Sequence, residues 1–366
     1  MASRLLARLD AAIAKARNPV EVACHKAERA GFLARQGHLG RARKIIGELQ
    51  AQFEWRPHAA VSAWVSLAEG LLDHYSALGG KARDRMLRAH VLSGSKELAP
   101  LHALAAAWLA HMEYVASDMT RMAVHAREAL DTAAADNHSA RSRACLVVAE
   151  AYHFAGHLDK ALPWYAKSRQ HALADGDEAH LSALMHNQAW LRGSQARLAA
   201  LFEQAGAQEQ LRQALMGAES TGHFDLGVGT ASLSSLVWML RAQMLAAVGR
   251  CPEALLLLEK HLERAMDEGL ERLKAGFLAD MAWCRLQAGD RKGASRDAQA
   301  ALVALSIPGD VDDRAMAQAR LAQVLAALEQ PERAKQLADD ARRDLNAHRA
   351  EQQRLAALLG ETFGND

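Results

Sequence analysis

The chain has 366 residues, half of them apolar, 5% aromatic and seven of them Pro; 44 Lys and Arg against 43 Asp and Glu leave a net charge near +1. That balance offers no field for a polyanion and no basic stripe, which excludes a dedicated nucleic-acid binder. The longest apolar run, Ala103–Ala110, is far shorter than the roughly 20 residues of a membrane span, and MASRLLARLDAAIAKARNP lacks a signal-peptide core.

A cytoplasmic protein with no membrane contact is therefore expected. Cys24, Cys145, Cys251 and Cys284 lie far apart and form no CxxC pair, which fits a reduced compartment better than a disulfide framework. The abundance of Ala and Leu and the lack of β-branched runs predict an almost wholly helical chain.

In chain order, residues 1–18 are expected to form an N-terminal helix. Asn18-Pro19-Val20-Glu21 then offers an N-cap, a Pro at the first helical position and a Glu at the third, opening the first repeat helix. From there a period of about 40 residues runs down the chain. Ala30, Gly70, Ala110, Ala149, Ala242, Ala282 and Ala322 each precede a turn by seven residues, with His186 breaking the rule in the fifth unit. A second small residue follows twelve later at Ala42, Ala82, Ala161, Ala254, Ala294 and Ala334, with Met122 and Leu198 as exceptions. The turns themselves fall at Gly37, Ala77, Ser117, Gly156, Gly193, Gly249, Gly289 and Glu329.

A unit of this length cannot bury its own apolar face, so its copies must stack as a solenoid. The reading is all-α, a superhelical solenoid of about eight antiparallel helix pairs. Units one to five occupy residues 19–205, and units six to eight occupy 231–345. Residues 206–230 read as an inserted helix with a Gly-rich connector, and 346–366 as a C-terminal capping helix and tail.

Ala149, Tyr152, Gly156, Ala161 and Tyr165 occupy the small, aromatic, turn, small and aromatic positions of a known pattern, and Trp238, Ala242, Gly249 and Ala254 repeat it. In these residues the chain resembles the tetratricopeptide repeat family, in the longer variant of about 40 residues found in bacterial regulatory proteins. The resemblance spans residues 19–345 and implies a right-handed superhelix that binds a partner along its concave face. The period exceeds the commoner repeat of about 34 residues and the unit-end Pro is mostly missing, so a HEAT-like or armadillo-like array remains the alternative fold.

If the family geometry holds, the first helix of each unit lines the groove. Arg35 of the first unit and Arg143 of the fourth fall on that face. The middle units concentrate aromatic and imidazole side chains there, and Trp64, His74, Tyr75, His111, Tyr114, Glu150, His153, Phe154, His180, Asn187 and Trp190 are the candidate ligand- or peptide-binding residues. Aromatic rings provide burial at low entropic cost, and imidazoles or an amide can hydrogen-bond a peptide backbone. Relatives often use an Asn near position 187 for that purpose, whereas the Lys and Arg of the family's carboxylate clamp are not matched position by position.

Catalytic and metal motifs are weak. His153 and His157 lie one helical turn apart near Asp159, but the second sits in a turn where a polar residue is ordinary. Gly227-Val228-Gly229 is a fragment of a dinucleotide fingerprint, and GxxxxGK[ST], HExxH and GxSxG are all missing. The expected protein is a non-enzymatic scaffold or sensor with no cofactor and no metal, binding a protein segment or peptide in a signalling setting. Homo-oligomerisation is left open, and the alternative is a small-molecule receptor built on the central aromatic and His cluster.

Overall fold

Alternation of Ala-rich apolar stripes with capped turns produces helices throughout the computed structural model, which describes residues 3–78, 81–228 and 234–364. In chain order they are α1 (Arg4–Lys15), α2 (Pro19–Arg35), α3 (Leu39–Phe53), α4 (Ala59–Ala77), α5 (Lys81–Leu92), α6 (Ala99–Val115), α7 (Met119–Thr132), α8 (His138–Phe154) and α9 (Leu158–Asp175). They continue with α10 (Glu178–Leu201), α11 (Ala207–Val228), α12 (Ser234–Ala247), α13 (Cys251–Asp267), α14 (Lys274–Gln287), α15 (Arg291–Ala304), α16 (Val311–Ala327) and α17 (Pro331–Phe363). Among the described residues there is no strand, and no helix is long and apolar enough to cross a membrane. The fold is an all-α helical-repeat solenoid, with α1 preceding eight helix pairs.

The turns within the pairs share one device. Gly37, Ser117, Gly156, Gly249, Gly289 and Glu329 all adopt positive φ, at the positions expected from the sequence. After each, the next N–H reaches back to close the last turn: His38 N–H to the Leu33 carbonyl (2.9 Å), His157 to Tyr152 (2.9 Å), Arg250 to Leu245 (2.8 Å) and Gln330 to Leu325 (2.9 Å). This is a Schellman closure, which satisfies carbonyls that the helix end would leave unpaired. The starts are capped as well: Asn18 Oδ1 accepts the Glu21 N–H (2.9 Å), and Asp290 Oδ1 accepts that of Gly293 (2.8 Å).

Two turns differ from the expectation. The second falls at Leu78 (φ 48°), one residue beyond Ala77. The fifth falls at Glu203 (φ 53°), ten residues beyond Gly193, which lies inside α10. Gly193 is a close-packing residue: a Cβ there would lie 2.9 Å from Leu240 Cδ1 and 3.3 Å from Met244. Moving the turn also resolves the exception at His186, because Ala196, 1% exposed, stands seven residues before Glu203 and takes the small position. Residues 206–230, read as an inserted helix and connector, carry α11 as far as Val228; residues 229 and 230 lie outside the described residues. Leu211, Ala214 and Ala218 of α11 bury against Ala189 and Ala196 of α10, so α11 is the second helix of the fifth pair.

The chain divides into two compact units, one comprising Met1–Leu184, Phe224–Ser232 and Arg354–Asp366, the other Met185–His223 and Leu233–Gln353. In the first, α17 ends in the core: Leu355, Leu359 and Phe363 bury with Tyr152, Trp164 and Tyr165, and the Tyr152 hydroxyl donates to the Leu359 carbonyl (3.0 Å). The apolar side of the C-terminal helix, with Leu355 and Leu359 on it, is the side that packs here. In the second unit, Asp280 is fully buried between Arg197 (2.6 Å) and Arg320 (3.2 Å), tying α10, α14 and α16 together.

The small positions predict their own substitutions. A Cβ on Gly70 would meet Met86 Cγ at 2.9 Å and the Ala82 carbonyl oxygen at 3.1 Å, whereas one on exposed Gly47 would meet nothing within 4 Å. Gly70→Val is expected to lower stability by about 2–3 kcal/mol through overpacking against backbone. Gly47→Ala raises it by roughly 0.5–1 kcal/mol through helix propensity alone. Thermal or urea unfolding of the two variants measures both signs.

Candidate functional site: a buried guanidinium beside a cleft

Stacking successive first helices in one phase brings charged residues from four elements of the first unit together. Arg35 ends α2, His74 and Tyr75 end α4, Trp108 and His111 lie on α6, and Arg143 lies on α8. Trp108 is the hub: its ring centroid is 6.5 Å from that of His74, 6.3 Å from Tyr75 and 5.7 Å from His111, all edge-on. Arg143, 2% exposed, lays its guanidinium 3.9 Å from the Trp108 ring centroid, a cation–π contact in a desolvated setting.

The carboxylates nearby are already engaged. Asp177 accepts from Arg35 with both oxygens (2.7 and 2.9 Å) and caps the His180 N–H (2.9 Å). Asp175 accepts from Arg8 (2.6 Å) and from the Ser139 hydroxyl (2.6 Å). Among the described residues Arg143 has no ion-pair partner, and its Nε and Nη2 are buried without a hydrogen bond. An unpaired buried cation is costly, so the surroundings respond. Burial, then the Arg143 charge, holds the His74 imidazole down to about 4, and the same two causes hold His111 and His180 well below the usual range. Burial likewise lowers Arg143 itself. Arg143 is thus set among three imidazoles held in their neutral form, with Arg35 and its Asp177 partner beside them.

Arg35, Trp64, Trp108, Arg143, Asp177 and His180 border a cleft whose inner space is about 40 Å³. Its apolar wall is completed by α1. Leu5 and Leu9 pack with Phe32 and Ala179, the Leu5 N–H donates to the Gly176 carbonyl (3.2 Å), and Ser3 Oγ donates to Glu178 (2.7 Å). Gly176 is required at that contact: it holds φ +70°, and a Cβ would lie 2.9 Å from that of Arg4.

The sequence-derived candidates separate in this geometry. His74, His111, Glu150, His153 and His180 are buried, while Trp64, Tyr75, Tyr114, Phe154, Asn187 and Trp190 are half-buried. Trp64, His74, Tyr75, His111 and His180 gather around the cleft or its Trp108 hub. His153 instead meets α9, its Nδ1 3.0 Å from the Tyr165 hydroxyl. Asn187 and Trp190 belong to the second unit, where Trp190 packs with Ala189, Leu215 and Met244. Sequence reasoning missed Trp108 and Asp177, and it placed Arg35 and Arg143 on the right face without a role.

Ser168 and His180 form a close pair (2.8 Å), but Ser168 is fully buried and donates to the Ser142 carbonyl (2.8 Å), which leaves no exposed nucleophile.

No family model matches the chain, and no curated protein does. Among solved structures, the chain is similar to Rap protein complexed with competence and sporulation factor, with a TM-score of 0.54 and 12% identity over 94% of this chain and all of that one. That likeness is one of fold.

The buried imidazoles give stability a pH dependence. His74 and His186 are held at about 4 in the native protein, against an ordinary value of 6.5. Between those values the unfolded chain binds more protons than the native one, so stability is full above about pH 6.5 and falls as the pH drops toward 4. Both ring nitrogens of His186 lack a hydrogen bond. His186→Leu is therefore expected to flatten the acid limb of a Tm-against-pH curve without lowering Tm at neutral pH. Asp280→Ala, which strands two buried guanidiniums, is expected to cost about 3–5 kcal/mol in chemical denaturation.

Proposed function

We propose that this protein is a non-enzymatic regulator that binds a peptide or protein segment in the cleft of its first unit, with Arg143 receiving a carboxylate of the bound chain. The observation that carries this reading is the unpaired guanidinium of Arg143 at the cleft wall. Buried cations in folded proteins are normally matched by an anion, and the nearby aspartates are committed elsewhere. A carboxylate fits the planar guanidinium with two parallel hydrogen bonds.

The remaining walls suit a peptide. Trp64 and Trp108 offer aromatic surface, and an inner space of about 40 Å³ admits a side chain or chain end, not a whole enclosed metabolite. A protein of similar fold has been solved in complex with competence and sporulation factor, which supports a ligand-binding reading. On this reading the chain acts through a partner protein in signalling.

The test uses synthetic decapeptides with a hydrophobic residue near a free C-terminus, each paired with its C-terminal amide, in fluorescence anisotropy with the full chain. Binding of the acid forms should weaken by about 10- to 100-fold on amidation or in Arg143→Gln, the range for a charged hydrogen bond. Because Arg143→Gln removes an uncompensated buried charge, its Tm should not fall. Equal binding of acids and amides to both proteins overturns the carboxylate role, and a library without binders, beside a metabolite that raises Tm, overturns the peptide reading.

A further inference from the structure

A second cluster lies away from the cleft, where α5, α6 and α7 meet. His90 of α5 and His102 of α6 both aim Nε2 at the same oxygen, Oε1 of Glu128 on α7, at 2.9 and 3.1 Å. Their rings stack with centroids 4.1 Å apart. The three ligand atoms lie within 4.8 Å of one another, and the side chains are 16%, 21% and 30% exposed, open enough for an ion to enter. Beside them, His125 Nδ1 stands 3.3 Å from the other oxygen, Oε2.

The hydrogen-bond pattern fixes which nitrogen of His102 is available. Its Nδ1 lies 3.1 Å from the His90 carbonyl oxygen, which can only accept, so Nδ1 carries the hydrogen. In the neutral imidazole, Nε2 then presents its lone pair to the Glu128 carboxylate, and two electron-rich atoms face each other 3.1 Å apart. A cation between them removes that conflict. A backbone carbonyl holding the far ring nitrogen is how proteins orient a metal-binding imidazole.

We infer that His90, His102 and Glu128 form a site for a divalent transition metal of the zinc class, with two imidazole nitrogens and one carboxylate oxygen as ligands and a fourth position open to water. Metal–ligand distances near 2.0–2.1 Å place tetrahedral donors about 3.3 Å apart. The observed separations of 2.9 and 3.1 Å approach that spacing. Two imidazoles and a carboxylate with an open position suit zinc and its neighbours in the first transition row. The ion ties together three helices of the second and third pairs, and His125 steadies the free carboxylate oxygen.

The site was not foreseen because its ligands come from three helices at irregular spacing, with neither HExxH nor paired Cys to announce them. It is independent of the peptide reading.

The probe is Co²⁺ added to the metal-free full chain, followed by its visible d–d absorption, with Zn²⁺ as competitor. One equivalent should bind with the intense bands of low coordination number, Zn²⁺ should displace it, and Tm should rise with either ion. His102→Ala should weaken binding more than tenfold, while His25→Ala, on α2, leaves it unchanged. Absence of a saturable site in the wild-type protein, or full affinity in His102→Ala, overturns the proposal. If His102→Ala fails to fold, an anomalous-scattering map of Zn²⁺-soaked wild-type crystals decides: density among these three side chains supports the site, and density elsewhere or none overturns it.

Discussion

Helices can approach to backbone contact only where one of them carries a hydrogen or a methyl group, and the rest of this structure depends on that constraint. At Gly70 the neighbouring helix brings a carbonyl oxygen and a methionine into the space a side chain would fill. Ala30, Ala110, Ala149, Ala242 and Ala282 do the same in other pairs with essentially no exposed surface. Close approach fixes the phase of each first helix, and fixed phase stacks equivalent positions of successive units against one another. Arg35, His74, Trp108 and Arg143 become neighbours for that reason, although more than a hundred residues separate the first from the last.

Neighbours so placed must resolve their charges without water. Two arginines share the Trp108 ring, but among the described residues Arg35 alone of the two has a carboxylate partner, and Asp177 accepts from both Arg35 and the His180 N–H. The imidazoles yield instead and remain neutral beside Arg143. The second unit solves the same problem differently, with Asp280 shared between Arg197 and Arg320 and the latter 4.9 Å from the Trp283 ring centroid. Arg320 of the second unit and Arg35 of the first thus each combine an aromatic face with a carboxylate partner, whereas Arg143 has no ion-pair partner among the described residues.

The architecture was legible because its determinants are local. A Gly or polar residue at positive φ, a small residue seven before it and a cap after it can be seen within one window of sequence, and six of the eight turns fell where that window put them. The fifth failed because Gly has two uses. Gly193 is small so that Leu240 can approach, not because the backbone turns there, and the residue that does take positive φ is Glu203. That Arg35, His74, Tyr75, His111 and Arg143 share a face was legible for the same reason as the fold, since they follow the repeat. Their pairing was not, because whether Arg143 has a counter-ion depends on Asp175 and Asp177, and these lie in the corner between α9 and α10 and engage Arg8 and Arg35. Likewise, no periodicity relates His90, His102 and Glu128.

The N-terminal helix shows which half of the cleft the chain satisfies by itself. The α1 sequence is amphipathic, and its Leu5 and Leu9 cover the apolar wall beside Phe32. Its polar anchors are cations reaching outward: Arg8 to Asp175, and Arg4 to the Leu173 carbonyl (3.0 Å). Its one acid, Asp10, is held by Arg29 at 2.6 Å and does not turn toward Arg143. A segment of the chain thus supplies hydrophobic cover and engages the Asp175 and Glu178 carboxylates beside the cleft, yet brings no negative charge to the buried guanidinium. A helix evolved only to close the cleft would gain by placing an Asp or Glu opposite Arg143, since pairing a buried cation removes a penalty of several kcal/mol. That α1 leaves the charge unmatched is the observation on which the proposed carboxylate role of Arg143 rests.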